Sequence, residues 1–312
     1  MLPLRLAPRL SRFLVLLPLG SLLAQQPSAP PKAPVRPVTD EYFGQKIVDP
    51  YRWMEDDKNP ELLAWMKAQA AYARAYLNNL PGYPALLQRC REVETGDVQI
   101  DRIVRSGNRF VYAKLRPGEN LAKLYVRHGS SGPERLLYDP AKESTDQKHV
   151  SVGDFQLSKD GRFASYVVMR GGGEFGDLRL IDLETGRDLP DVIPDTRWFA
   201  GSWAPDGKSL LYIHFQKLAP GAPDIERIQK TAIFLHRVGT PVSADKPVFG
   251  YGADPRVAVA PTELGLAEFR KGSPYAVAYV NSGVSPESDF YLAKSSGFSS
   301  RNTFLAQDRL PR

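Results

Sequence analysis

One phrase recurs four times between residues 106 and 280, and it constrains the fold more than any other feature of this sequence. In each copy a short polar turn containing a glycine is followed by a strand-like run rich in aromatic and β-branched residues. The four copies are SGNRFVYAKL, KDGRFASYVV, PDGKSLLYIH and RKGSPYAVAYV, beginning at Ser106, Lys159, Pro205 and Arg270. We predict that Gly107, Gly161 and Gly207 are structural turn residues, because such turns require a positive φ that side chains resist.

Each phrase is followed by a second strand-like run, so the repeating unit contains several strands. These second runs are KLYVRHG, LRLIDLETG, AIFLHRVG and DFYLAKSSG, and the phrase glycines are spaced by 46 to 65 residues. Repeats of about 40–50 residues with several strands are typical of β-propeller blades. We therefore predict a mostly β fold with about four blades across residues 96–294. Unrelated hairpins in a β-sandwich are the alternative.

The N-terminus has the pattern of an export signal. Three arginines precede an apolar run from Phe13 to Ala24, which is shorter than the roughly 20 apolar residues of a spanning helix. We predict that residues 1–24 are a signal peptide, that the protein is periplasmic or extracellular, and that it has no stable membrane anchor; a retained anchor is the alternative. Residues 25–38 are rich in proline, which predicts an extended linker.

A short helical segment is predicted across residues 39–95. Asn59 is a suitable cap and Pro60 suits the first helical position, so a helix should run from Asn59 to Asn78. A second helix should cover Ala85–Val93 and place Cys90, the one cysteine of the chain, as a small buried residue.

Charge argues against a nucleic-acid partner. The formal net charge is +6, but three of the 41 basic residues lie in the signal segment, which has no acidic residue. The remainder has 38 basic and 35 acidic side chains, with no basic run interleaved with aromatics.

Cofactor and metal sites are not indicated either. Gly171, Gly173 and Gly176 match the dinucleotide pattern G-x-G-x-x-G, but they lead into a strand-like run instead of the required helix. We interpret them as a loop between two strands of one blade. The sequence has no paired cysteines, no H-E-x-x-H and no calcium loop, and its four histidines are scattered.

A catalytic serine of the α/β-hydrolase type is not found. The nucleophile elbow requires G-x-S-x-G, and no such string occurs in the 312 residues. No alternation of strands and helices is present that could hold the acid and the histidine of a triad. We therefore predict that this chain has no catalytic centre of its own.

Several separated motifs resemble the prolyl oligopeptidase family of serine peptidases. DPYRWMEDDKNPE at Asp49–Glu61 is similar to the family's N-terminal motif, which packs on the hydrolase domain. The blade segments at Leu157–Ile193, Trp203–Phe215 and Leu235–Tyr251 follow in the family's order, and the resemblance extends from about residue 39 to 294.

This resemblance implies a seven-bladed propeller that covers an α/β-hydrolase domain and admits only short peptides. It also implies cleavage after proline through an acyl-enzyme without a metal or organic cofactor. The related oligopeptidase B branch prefers basic residues, and the sequence leaves that alternative open.

The resemblance also implies that two residues of this chain line the substrate cavity. Trp198 stands five positions before Trp203, where the family commonly has phenylalanine, and Asn281 stands at the approximate place of a substrate-contacting arginine. Core packing for Trp198 and a turn role for Asn281 are the alternatives.

This chain is much shorter than the family pattern requires. About four of seven blades are visible, the hydrolase domain is absent, and residues 295–312 form an irregular tail. We expect an incomplete propeller from a truncated, exported peptidase, inactive alone. A stand-alone propeller-like binding module is the second hypothesis, which gives no reason to retain DPYRWMED and its helix.

Overall fold

The computed structural model describes residues 29–94, 96–296 and 304–306. The predicted signal peptide lies outside the described residues, as does most of the predicted tail. The chain divides into two compact units, of which the first ends at Glu94.

The first unit contains a hairpin and two helices. These elements are β1 (Val38–Tyr42), β2 (Gln45–Asp49), α1 (Pro60–Asn78) and α2 (Tyr83–Glu94). The predicted cap is confirmed, since Asn59 Oδ1 accepts the backbone N–H of Glu61 at 2.9 Å and Pro60 occupies the first helical position.

The proline-rich segment before β1 is held against α1. Trp65 Nε1 and Gln69 Nε2 both donate to the carbonyl of Pro31, at 3.2 and 2.6 Å. Trp53 Nε1 donates to the carbonyl of Pro34 at 2.9 Å. Proline carbonyls in an extended segment have no partner of their own, so these three donors give the predicted linker a fixed course.

The prediction that Cys90 is buried is wrong. Cys90 is exposed, and none of the residues of α2 is buried. Leu62 is the one buried residue of α1, whereas Met66 is 52% exposed. Both helices therefore present apolar side chains that nothing in the described residues covers.

The second unit consists of four consecutive four-stranded sheets, which we call blades 1 to 4. Blade 1 contains β3 (Gln99–Ser106), β4 (Arg109–Leu115), β5 (Lys123–His128) and β6 (Glu134–Tyr138). Blade 2 contains β7 (Val150–Leu157), β8 (Phe163–Arg170), β9 (Gly176–Asp182) and β10 (Arg187–Thr196). Blade 3 contains β11 (Ser202–Trp203), β12 (Ser209–His214), β13 (Ala232–Arg237) and β14 (Lys246–Gly250). Blade 4 contains β15 (Leu264–Phe269), β16 (Tyr275–Asn281), β17 (Ser288–Lys294) and β18 (Leu305–Ala306).

The repeated phrases map onto the same place in every blade. Each phrase covers the turn between the first and second strands, and each second run is the third strand, paired antiparallel with the second. The glycines of the turns have φ of 57° at Gly107, 71° at Gly161 and 67° at Gly207. Of the G-x-G-x-x-G glycines, Gly171 and Gly173 lie in the loop between β8 and β9, as the sequence predicted, and Gly176 is the first residue of β9.

Neighbouring blades pack face to face through three apolar clusters. One joins blades 1 and 2 and includes Val111, Tyr166 and Ile181. The next joins blades 2 and 3, where the Phe163 and Trp203 rings stack 6.2 Å apart. The third joins blades 3 and 4 and includes several alanines, which allow close approach of the sheets: Ala267, Ala276, Ala278 and Ala293. This arrangement is an incomplete β-propeller, and it confirms the predicted fold class.

A tyrosine five residues after the turn glycine is hydrogen-bonded to a carboxylate in three blades. Tyr112 donates to Glu134 at 2.7 Å, and burial and that carboxylate raise the pKa of Tyr112 to about 12. The corresponding pairs are Tyr166 with Asp188 at 2.8 Å and Tyr212 with Asp245 at 3.0 Å. Each pair joins the second strand of a blade to the start of its fourth strand, or to the residue just before it.

Candidate functional site

A cavity of about 170 Å³ opens in the second unit where blade 4 meets the loop between blades 2 and 3. Its lining is mostly apolar, with two polar side chains. The lining residues are Trp198, Phe199, Ile213, Leu266, Ala267, Glu268 and Tyr279. A concave, largely apolar site with a few polar groups is the usual form of a small-ligand or peptide subsite.

The loop that carries Trp198 is fixed at both ends. Before it, Thr196 is buried and donates its hydroxyl to the carbonyl of Gly176 at 3.2 Å. After it, the backbone N–H of Ala200 donates to Asp154 Oδ2 at 2.8 Å. Asp195 has a φ of 55°, a left-handed turn conformation that aspartate tolerates better than most residues. Trp198 therefore keeps a defined position although it is 48% exposed.

Aromatic rings and arginines continue outward from Trp198. Its ring lies 6.3 Å from that of Phe215, which makes an edge contact with Phe175 at 5.2 Å. Arg197 lies 4.8 Å above the Trp198 ring and Arg227 lies 3.9 Å above the Phe175 ring. These cation–π contacts hold the rings in place at the cavity's edge.

Glu268 and Tyr279 supply the polar groups of the cavity. Arg270 binds one carboxylate oxygen of Glu268 at 2.6 Å. Burial, together with the charge of Glu268, raises the pKa of the Tyr279 hydroxyl, so this group remains a neutral donor and acceptor at physiological pH. The cavity thus offers aromatic walls and a small number of hydrogen-bonding groups.

The two predicted cavity residues have different positions. Trp198 lines the cavity, whereas Asn281 does not. Asn281 ends β16 two residues after Tyr279, so both side chains lie on one face of the strand. Its Oδ1 accepts the hydroxyl of Ser288 at 2.6 Å.

Sequence reasoning did not identify Phe199, Glu268 or Tyr279. The second strand of each blade contains a tyrosine, which could have pointed to Tyr279. In blades 1 to 3 this tyrosine follows the turn glycine by five residues, whereas Tyr279 follows Gly272 by seven. The seven lining residues include no serine, cysteine, histidine or lysine. The polar side chains of the lining are therefore one carboxylate and one phenol, at Glu268 and Tyr279.

A second polar cluster lies buried in and beside blade 3. His236 is fully buried, and its Nδ1 lies 3.0 Å from Asp245 Oδ2 while its Nε2 lies 3.7 Å from Asp191 Oδ1 on β10. Asp191 also accepts the backbone N–H of Gly239 at 3.1 Å. The cluster ties blade 2 to blade 3 and lies away from the cavity lining, so we assign it a structural role.

Within the described residues, no group of three or more histidine, cysteine, aspartate or glutamate side chains is arranged to hold a metal ion. Over the same residues, neither helix has the length and apolar run that a membrane crossing would need.

Comparison with known proteins adds a family assignment. Residues 30–264 match the family model described as prolyl oligopeptidase, N-terminal beta-propeller domain. The chain is 25% identical over 218 residues to the prolyl endopeptidase of Elizabethkingia miricola, covering 70% of this chain and 30% of the relative. It is 26% identical over 250 residues to dipeptidyl aminopeptidase BI of Pseudoxanthomonas mexicana, covering 74% of this chain and 33% of the relative.

Solved structures show the same likeness. One of two prolyl endopeptidases studied for inter-domain dynamics superposes with a TM-score of 0.75 at 30% identity, covering 90% of this chain and 40% of that chain. Prolyl oligopeptidase B of Galerina marginata gives a TM-score of 0.70 at 18% identity, covering 88% of this chain and 41% of that chain, and so supports the fold alone. The chain spans about a third of the length of the curated relatives it matches.

Proposed function

This chain belongs to the prolyl oligopeptidase family through its N-terminal β-propeller domain, and from that premise we propose that it is the propeller part of an exported serine peptidase that cleaves short peptides after proline. The observation that carries the proposal is the aromatic cavity at Trp198, because a flat indole is a good surface for a proline ring. The likeness to prolyl endopeptidases supports the same substrate class.

In this proposal binding and chemistry are divided between domains. The cavity holds part of the peptide, while a hydrolase domain supplies the serine, the histidine, the acid and the oxyanion hole. The sequence contains no G-x-S-x-G elbow, so this chain alone should bind peptides without cleaving them.

The helical segment would contact that hydrolase domain. Met66 and Leu77 of α1 are exposed in the first unit, where an isolated helix would present polar residues. A stand-alone binding module gives no reason for this exposed apolar face. The segment therefore favours the peptidase over the binding module.

Export is the proposed location, and the charge order of residues 1–24 supports it. Material produced in an exporting host should lose these residues, within a few positions. An intact-mass measurement that finds Met1 retained in a membrane fraction would overturn this part of the proposal.

Peptide binding can be tested by calorimetry with a blocked Ala-Ala-Pro-Ala peptide and with its Ala-Ala-Ala-Ala counterpart. We expect the proline peptide to bind more tightly, and Trp198→Leu to weaken that binding at least tenfold. Trp65→Phe is the matched control, because Trp65 lies in α1 outside the cavity, and it should leave binding unchanged.

Turnover is measured on a fluorogenic peptide with proline before the leaving group. We expect none from this chain, and turnover that a serine-reactive phosphonate blocks would contradict the absence of a catalytic centre. Equal binding of the two blocked peptides would contradict the proline preference and favour the binding-module hypothesis.

A further inference from the structure

The first strands of blades 1 and 2 each have a bulge, and the two bulges bring charged side chains of different blades together. The strand β3 has its bulge at Arg102, whose φ is 46°. The strand β7 has a bulge between Val152 and Phe155, which contains Asp154. Bulges turn side chains away from the regular alternation of a strand. Here they allow an arginine of blade 1 to meet an aspartate of blade 2.

Arg102 and Asp154 form an ion pair between the two blades. The side chain of Asp154 is only 9% exposed, whereas that of Arg102 is 43% exposed. The guanidinium of Arg102 also lies 5.4 Å from the centre of the Phe155 ring, which helps to fix its direction. A nearly buried carboxylate needs a partner for each of its oxygens. Arg102 donates to Oδ1 of Asp154, which leaves Oδ2 for a second partner.

That second partner is the loop that carries Trp198. Ala200 donates its backbone N–H to Asp154 Oδ2 at 2.8 Å. Just before it, the backbone N–H of Phe199 donates to the carbonyl of Arg197 at 2.8 Å, so Trp198 is the central residue of a three-residue turn. The direction of the indole therefore depends on where this short turn is anchored. Asp154 provides the anchor on the side that leads into blade 3.

The opposite wall of the cavity is tied to the same series of first strands. Ser202 begins β11, and its hydroxyl oxygen accepts the backbone N–H of Phe269 on β15 at 2.8 Å. Phe269 directly follows Glu268, which lines the cavity. One line of contacts therefore runs from β3 through β7 and β11 to β15, and both walls of the cavity lie along it.

We propose that Asp154 and Arg102 are positioning residues for the cavity, through which blade 1 sets the orientation of Trp198. Neither belongs to the lining, so both act through the backbone of the loop and not by touching a ligand. Without Arg102 the nearly buried carboxylate would lose the partner of one oxygen, turn towards water and release Ala200. The effect on peptide affinity rests on the proposed function, whereas the effect on Trp198 does not.

The first test follows Trp198 without any ligand. The chain has four tryptophans, so fluorotryptophan labelling gives four fluorine NMR resonances, and Trp198→Phe identifies the one that belongs to Trp198. We expect Arg102→Gln to shift or broaden this resonance. Arg102→Lys retains a cation beside the carboxylate and should leave the resonance close to its original position. An unmoved Trp198 resonance in Arg102→Gln would overturn the proposal.

Arg162→Gln is the matched control in blade 2. Arg162 also pairs with an aspartate, Asp182, at 3.3 Å, and it also lies over a phenylalanine, 5.1 Å from the centre of the Phe163 ring. This pair joins the turn before β8 to the end of β9, so its loss should leave the Trp198 resonance in place. Equal shifts in Arg102→Gln and Arg162→Gln would show a general effect of lost charge and overturn the proposal.

Binding of the blocked Ala-Ala-Pro-Ala peptide is the second readout, measured by calorimetry. We expect Arg102→Gln and Asp154→Ala each to weaken it by about fivefold. The double variant should bind no more weakly than Asp154→Ala alone, because Arg102 acts only through that carboxylate. Losses that add in the double variant would contradict this order of action.

The two readouts separate this inference from the proposed function. Equal binding of the proline peptide and its all-alanine counterpart, with a Trp198 resonance that still shifts in Arg102→Gln, would leave the positioning role standing while the proposed function fails. A clear proline preference that neither Arg102→Gln nor Asp154→Ala weakens would refute the positioning role alone. If circular dichroism shows that Asp154→Ala does not fold, the comparison of Arg102→Gln with Arg102→Lys decides, since the Arg102 side chain is partly exposed.

Discussion

Glu134 holds three side chains together on the face of blade 1 opposite Val111. Its carboxylate accepts from Lys114 at 2.8 Å, from the Tyr112 hydroxyl at 2.7 Å and from Arg127 at 2.9 Å. Lys114 first, and Tyr112 next, lower the pKa of Glu134 to about 2. Because the folded-state pKa lies below the ordinary value of 4.5, this group stabilises the fold above about pH 4.5.

We expect that stabilisation to be lost as the pH falls from about 4.5 towards 2. Glu134→Gln should lower the free energy of unfolding by about 2 kcal/mol at neutral pH and by much less near pH 2, measured by urea denaturation. Glu92→Gln, on the exposed surface of α2, is the control and should change little at either pH. A constant difference across this range would show that Glu134 acts through packing alone.

Replacing His236 should also lower the stability of the fold, for a different reason. Replacing it with leucine would leave the Asp191 and Asp245 carboxylates buried without the ring between them. A buried carboxylate that loses a hydrogen-bond partner in this way costs about 1–3 kcal/mol. Thermal unfolding should therefore shift strongly in His236→Leu and barely in His128→Leu, which alters an exposed histidine at the end of β5. Similar midpoints for the two variants would contradict a structural role for the cluster.

Among the secondary-structure elements, the turns between first and second strands contain two glycines that can be compared directly, Gly107 and Gly207. Both have positive φ, but a Cβ at Gly107 meets no atom within 4 Å, whereas one at Gly207 meets Asp160 of the neighbouring blade. Gly107→Ala should cost about 1 kcal/mol for its backbone conformation alone. Gly207→Ala should cost at least about 1 kcal/mol more, because it also displaces a side chain between blades. Equal losses in urea denaturation would show that the turns do not pack on one another.

Regular elements were predictable from the sequence because their signals are local. Glycine turns, alternating strands and the cap at Asn59 each depend on neighbouring residues, and the blades and α1 follow from them. The exposure of Cys90 was not predictable, because helical spacing shows an apolar face without showing what covers it. The lining of this cavity was not predictable as a set, since Glu268 and Tyr279 reach it through packing between strands far apart in sequence, and a substrate role for Trp198 stays a prediction.

At the scale of the whole second unit, blade 1 packs on blade 2 through one face only. A bulge at Asp101–Ile103 pairs Ile100 with Lys114 and Ile103 with Tyr112, so both isoleucines lie on the face opposite the Val111 cluster. Ile103 is 60% exposed. Blade 4 likewise has Tyr275 and Phe290 exposed on its second and third strands.

These surfaces predict that the chain self-associates, because exposed apolar patches beside strand edges promote contacts between copies. Size-exclusion chromatography with light scattering should show a mass that rises with protein concentration. Ile100→Lys with Ile103→Lys should reduce the association, since two charges would have to be buried in the contact. Val192→Lys is the control, as Val192 is exposed on β10 away from that face. A monomer at every concentration would show that the charged side chains around Glu134 already protect this face of blade 1.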